Sequence, residues 1–253
     1  MNKTKLRLSL LLLGSLALGS CSRSGGNEFT AEGTITDAAG KTLYLETTDT
    51  DEPQLIDSVT LDEKGRFRFR REAHSYPAFY RLRLGESFIP FAADSVTHLT
   101  LSASGKDLFS TYKIESGDEA NKQIREIGQL RTATDKAIEA ILTQLNNGTL
   151  YRGVALARID SLSTQLKNTL TSKYIFSDPK GAAAYYALFQ SYLGGTYFSI
   201  DHPGDDRAFA AVATAYDAFH PNAPYTPLLK QAALRSIAMA RARQREAHPD
   251  TTM

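Results

Sequence analysis

Cys21 is the one cysteine among 253 residues, and it closes the chain's long apolar run in the sequence Leu18-Gly19-Ser20-Cys21. A thiolate is a nucleophile, and small residues ahead of it let an extended chain enter a processing peptidase uncrowded. The chemistry this implies is transfer of a diacylglycerol to the Cys21 sulfur, cleavage before Cys21, and acylation of the new amino terminus with a fatty acid such as palmitate. Two or more acyl chains hold a protein stably on a membrane, where one does so marginally. Met1 to Arg7 supplies a positive n-region, and Leu8 to Leu18 is too short to span a ~30 Å hydrocarbon core. Residues 1–20 are therefore expected to be a lipoprotein signal peptide. Residues 21–27 are expected to be a lipidated tether, flexible through Ser22-Arg23-Ser24-Gly25-Gly26-Asn27.

Other chemistry is sparse. A lipidated Cys21 leaves no thiol for a disulfide, a Cys-x-x-Cys redox pair or a cysteine metal site. His74, His98, His202, His220 and His248 are scattered, without a His-Glu-x-x-His run, a phosphate loop or a Gly-x-Ser-x-Gly elbow. Asp201-His202 and Asp205-Asp206 have the residue types of a metal site, but beside a Pro-Gly turn they fit a solvated turn and helix cap better. No catalytic residue, metal ligand or cofactor is expected. Tyr185, Tyr186, Tyr192, Tyr197 and Phe198 concentrate aromatic surface in one stretch. They could form a ligand or partner groove, since tyrosine serves interfaces well, but core and rim packing of a small helical bundle accounts for them better.

Charge removes two classes of partner. The chain has 29 basic and 28 acidic residues, and loss of Lys3, Lys5 and Arg7 with the signal leaves 26 against 28, a net charge of −2. That balance argues against nucleic acid and against a polybasic membrane patch.

From Phe29 to Leu101 the dominant period is two, the mark of strands with one buried and one wet face. Leu43 and Leu45 flank Tyr44; Leu55, Val59 and Leu61 share a face with Asp57; Tyr80, Leu82 and Leu84 alternate with Arg81 and Arg83. Arg66-Phe67-Arg68-Phe69-Arg70 reads as a half-buried strand in preference to a nucleic-acid platform. Asp37-Ala38-Ala39-Gly40, Asp62-Glu63-Lys64-Gly65 and Gly85-Glu86 are turns. About seven strands in an antiparallel sandwich-like domain are expected over 28–116. Beyond Glu115 the period becomes helical, and 117–253 is expected to form a bundle of about five helices. Ile124 to Leu145 marks the first, and Ile159 to Tyr174 the second. Asp178-Pro179 opens a third that ends at Gly194-Gly195. Phe209, Val212, Tyr216 and Phe219 mark the fourth, and Thr226-Pro227 opens the fifth. The overall class is α+β.

Several segments of the first half, in order, carry a resemblance. They are Phe29-Thr30-Ala31-Glu32-Gly33-Thr34-Ile35, Leu43-Tyr44-Leu45, Ile56-Asp57-Ser58-Val59, Gly65-Arg66-Phe67-Arg68-Phe69, Pro77-Ala78-Phe79-Tyr80-Arg81-Leu82 and Ile89-Pro90-Phe91-Ala92-Ala93-Asp94-Ser95. Together they resemble domain-of-unknown-function family 4369, over roughly Phe29 to Ser116. The resemblance implies a β-rich module that precedes, in envelope lipoproteins, a thioredoxin-like thiol–disulfide oxidoreductase domain with a Trp-Cys-x-x-Cys site. This chain has no tryptophan and no second cysteine, so the redox activity of such relatives is not expected. Ser22 after Cys21, where an aspartate would stand, resembles Gram-negative signals that direct lipoproteins to the outer membrane. Without an acidic cluster there, the periplasmic leaflet is expected. Asp57-Ser58-Val59, Asp94-Ser95-Val96, Asp160-Ser161-Leu162 and Asp250-Thr251-Thr252 resemble an Asp-Ser/Thr-aliphatic O-glycosylation pattern.

The leading expectation is a non-catalytic envelope lipoprotein that binds or scaffolds, with a separately encoded thioredoxin-like protein as partner. The competing expectations are a truncated oxidoreductase and an envelope protein that binds a small ligand through the tyrosine-rich helices.

Overall fold

The computed structural model describes residues 27–48, 52–116, 118–192 and 195–247. Cys21, the signal segment, all of the tether but Asn27, His248 and the Asp250-Thr251-Thr252 pattern lie outside the described residues.

The period-two segments form β1 (Glu28–Thr36), β2 (Thr42–Thr47), β3 (Gln54–Thr60), β4 (Arg66–Glu72), β5 (Ala78–Leu84), β6 (Ser87–Ala93) and β7 (His98–Ser104). A one-turn helix α1 (Leu108–Thr111) and a two-residue β8 (Lys113–Ile114) follow. Two four-stranded sheets result, in the orders β4-β1-β7-β8 and β3-β2-β5-β6. Alternate residues of both enclose one core that includes Phe29, Ile35, Leu43, Phe69, Leu82 and Leu99. This is the sandwich the alternation requires.

Two expectations need correction. The sandwich is not wholly antiparallel, because β1 and β7 run parallel from Thr30↔His98 to Thr36↔Ser104. Alternation reports a buried face and is blind to strand direction. The chain crosses β5 and β6 of the other sheet before reaching β7, so no tight hairpin forces the antiparallel arrangement. Gly33 makes this pairing possible, since a Cβ there would lie 1.8 Å from the Leu101 carbonyl oxygen. Leu55, expected on a buried face, is 62% exposed. It lies near the start of β3, which pairs only with β2 and forms the sheet edge. The Arg-Phe alternation of β4 behaves as read. Phe67 and Phe69 are buried, while Arg66, Arg68 and Arg70 pair with Asp62, Glu32 and Glu28.

In the β3-β2-β5-β6 sheet the edge opposite β3, which is β6, is closed by a helix. Pro90 opposes Arg81 and Ala92 opposes Phe79, and Ala92 turns its main-chain groups away from β5. By the same parity Pro90 faces outward, where its missing N–H breaks no ladder bond. The Ala92 N–H donates to Asn121 Oδ1 at 2.8 Å, and Asn121 Nδ2 donates back to the Ala92 carbonyl at 2.8 Å. One carboxamide thus replaces a neighbouring strand. Asn121 belongs to α2 (Glu119–Asn146), whose N-cap Asp118 accepts from the Asn121 N–H at 2.9 Å.

After α2 come α3 (Arg152–Leu170), a π-helical turn over Thr171–Ile175, α4 (Ala182–Leu188), a small hairpin of β9 (Ser191–Tyr192) and β10 (Gly195–Thr196), α5 (Asp206–Phe219) and α6 (Thr226–Ala247). There are six α-helices among the described residues where about five were expected, α1 being too short to show a period. The third expected helix is much shorter than its pattern. Pro179 lies in a turn before the Gly181 N-cap, and the helix stops at Leu188, well before Gly194-Gly195. Leu166, Leu170, Tyr174, Leu188, Val212, Tyr216 and Leu229 form the helical core, and Phe79 and Ala92 of the sandwich join it. No helix of the described residues is long and apolar enough to cross a membrane.

Candidate functional site

The wet face of β5 should carry polar residues. Arg81 and Arg83 obey, but Phe79 shares their face and is buried. The reason is α4, which lays Tyr185 over it with ring centroids 5.0 Å apart. Tyr185 also meets Phe189 at 4.7 Å, Tyr216 at 5.6 Å and Tyr225 at 4.5 Å. The Tyr225 hydroxyl donates to the Pro77 carbonyl just before β5, so the residue preceding α6 is tied to the sandwich.

Beside this aromatic joint the two halves leave a cavity of about 240 Å³. Its walls include Phe79 and Pro90 from the sheet, Ile124 from α2, and Tyr185, Tyr186 and Phe189 from α4 and its end. It continues into a wider cleft of about 530 Å³ that shares Tyr186, Phe189 and Gln190 and adds Arg81, Glu86, Phe88 and Arg131. Both parts mix apolar and polar wall, the inner one lined mainly by rings and the outer one adding charged side chains. A concave site of that kind is the usual form of a small-ligand pocket.

The polar groups are firmly held. Gln190 is 7% exposed, and its Nε2 donates to the Tyr186 carbonyl at 2.7 Å. Burial raises the Tyr186 phenol above its usual pKa, against the pull of Arg131 and Gln190. Arg131 Nη1 donates to Asp135 at 2.7 Å. Asp135 in turn accepts from the Tyr197 hydroxyl at 3.1 Å. Arg81 and Arg83 reach the two oxygens of buried Glu46 at 2.6 and 2.8 Å. Burial disfavours the Glu46 carboxylate, but the two guanidinium groups outweigh it and hold the pKa below the ordinary carboxylate range.

The five aromatics of the expected groove divide. Tyr185 and Tyr186 line the cavity. Tyr192 packs on Tyr197 at 4.9 Å. Tyr197 is buried and supports Arg131 from behind through Asp135. Phe198 is buried under the Lys167 ammonium, 5.4 Å from its ring centre. The residues missed in the sequence are Phe79, Pro90, Arg131, Phe189, Gln190 and Tyr225. Phe79 alone carried a signal, as an aromatic in register with two arginines.

The Asp201-to-Asp206 turn also departs from expectation. Asp205 occupies the N-cap position of α5 but makes no side-chain cap bond. It is 3% exposed, bonds Lys167 at 2.5 Å and accepts from the Ser199 N–H at 3.0 Å. It fastens α3 to α5 and is not a solvated cap. Among the described residues, no group of three His, Cys, Asp or Glu side chains is placed to hold a metal ion.

No family model, curated protein or solved structure matches the chain.

Proposed function

We propose that this chain is a non-catalytic binding module of the cell envelope, tethered by lipid on Cys21 and binding its ligand in the cleft between sandwich and helices. The observation that carries the reading is the cavity itself. Rings from both halves of the chain converge on it, and a closed joint would have buried Tyr185, Tyr186 and Phe189 against the sheet without leaving space. The sequence around Cys21 supports the tether, and Ser22 supports an outer-membrane address facing the periplasm. Thermal unfolding of the full chain against a panel of sugars, peptides and haem tests the site, because a ligand that binds only the folded state raises the midpoint. A shift present in the native chain and lost in Phe189→Ala is expected. A flat response across the panel, or a shift that Phe189→Ala leaves intact, overturns the assignment.

The resemblance to family 4369 supports a relation to the N-terminal part of thiol–disulfide oxidoreductase lipoproteins. On that reading a separately encoded thioredoxin-like protein is the natural partner, since this chain carries no redox cysteine pair. Affinity capture from envelope extracts is expected to recover such a protein, and its absence from the captured set removes the partner.

A further inference from the structure

We infer that the cleft takes a neutral carbohydrate ring, an inference that rests on the cleft being the binding site. Four properties of the walls narrow the ligand. Strong anions are poorly served, because Arg81 is committed to Glu46 and Arg131 to Asp135. A carboxylate or phosphate would meet guanidinium groups whose charge Glu46 and Asp135 already balance. Cations fare no better, as among the described residues Glu86 is the one acidic side chain lining the mouth, and it is exposed.

A pure hydrocarbon is disfavoured by Gln190 and the Tyr186 phenol. Covering buried polar groups without replacing their hydrogen bonds is unfavourable. A peptide that docks by adding a strand needs main-chain pairing on a sheet edge. The bordering edge is β6, where Ala92 is taken by Asn121 and Pro90 has no N–H to give. Among its outward-facing residues, that leaves Phe88 with a main-chain donor to offer.

What remains is an uncharged ligand with flat apolar faces and a hydrogen-bonding rim. A pyranose ring has that description: its C–H faces lie on aromatic rings and its hydroxyls lie in the ring's edge. Tyr185, Tyr186 and Phe189 supply the rings. Gln190, Thr48 and the paired Arg131 supply hydrogen-bonding groups around them. A guanidinium has five N–H donors, so Arg131, paired through Nη1 with Asp135, keeps donors that can serve neutral hydroxyls. The inner cavity and wider cleft together suit a di- or trisaccharide, one ring inside and the rest in the mouth.

Isothermal titration of the full chain, kept in a detergent without a sugar headgroup, tests this. The probes are neutral di- and trisaccharides of hexose and N-acetylhexosamine, their uronic-acid counterparts, a phenylalanine-containing tripeptide and an apolar dye. A neutral saccharide is expected to bind at least tenfold more tightly than its uronate counterpart. Phe189→Ala, at a ring that is 47% exposed and so carries little of the fold, is expected to weaken it at least tenfold. Gln190→Ala should weaken it roughly fivefold to tenfold. Binding of the dye, peptide or uronate alone, abolished by Phe189→Ala, leaves the cleft as the site and overturns the carbohydrate. Saccharide binding indifferent to Phe189→Ala places the sugar elsewhere and also overturns it. Silence from every probe overturns both the carbohydrate and the cleft.

Discussion

Replacing Asn121 by alanine tests how the two halves are joined. Asn121 is 2% exposed and makes three side-chain bonds: from the Ala92 N–H at 2.8 Å, to the Ala92 carbonyl at 2.8 Å, and to Asp118 Oδ2 at 2.6 Å. Alanine leaves both main-chain groups of Ala92 buried without partners, at about 1–3 kcal/mol each. The better helix propensity of alanine returns roughly 0.5 kcal/mol. A net loss of about 2–5 kcal/mol is expected, which lowers the midpoint of a chain this size by roughly 5–15 °C. Asn121→Asp refines the test. A carboxylate still accepts from the Ala92 N–H but faces the Ala92 carbonyl and Asp118, so at neutral pH it should cost more than alanine. Burial and Asp118 raise its pKa in the folded state, so the deficit should shrink as pH falls through that raised value and the acid regains a donor. Urea unfolding followed by circular dichroism gives the free energies, and hydrogen exchange at Ala92 reports the local bond. A loss under about 0.5 kcal/mol for Asn121→Ala, the range of an ordinary surface change, would refute the clamp. So would an unchanged exchange rate at Ala92.

Gly33→Ala forces a Cβ to within 1.8 Å of the Leu101 carbonyl oxygen. It should destabilise by about 3 kcal/mol or more, because main chain on both sides must move; a loss below about 1 kcal/mol in urea unfolding would mean the β1–β7 pairing is looser than described. Glu46 has a depressed folded pKa, so its contribution is present above the ordinary glutamate value of 4.5 and lost as pH falls through the lower folded value. Glu46→Gln should therefore be less stable than the native chain at pH 7, by about 2 kcal/mol with both arginines partly solvated, and the gap should close in acid. A gap that is constant with pH contradicts the ion pairs. Intact mass of the protein from its native cells should match a chain beginning at Cys21 plus a diacylglycerol and a fatty acyl group, and Cys21→Ala should remain unprocessed and lack that mass. Any further excess would be sought at Ser58, Ser95 and Ser161, and a mass without excess rejects O-glycosylation there.

Much of the fold was legible because local periodicity records which face of an element is buried. The Arg-Phe alternation placed Phe67 and Phe69 inward, and the helical stripe at Ile124 and Ile127 placed those residues in the core. The aspartate and glycine of Asp62-Glu63-Lys64-Gly65 specified a turn for a local reason: Asp62 Oδ1 accepts from the Lys64 and Arg66 N–H groups, and Gly65 adopts φ +73°. The third helix was overestimated because alanines and tyrosines continue a helical pattern through residues that the fold uses for a hairpin.

The sequence by itself determined the chemistry available: one cysteine at the end of one apolar run, an α+β order of elements, and a near-neutral surface. Only the tertiary structure decided where that chemistry meets. The cleft is built from residues as distant as Phe79, Arg131, Tyr185 and Tyr225, and no local period couples them. Asn121 is an unremarkable polar residue in a helical pattern until Ala92 is brought to it. Strand direction, edge closure and convergence of rings are contacts across long sequence separations, set by how the two faces bury together, and a sequence window contains only one side of each.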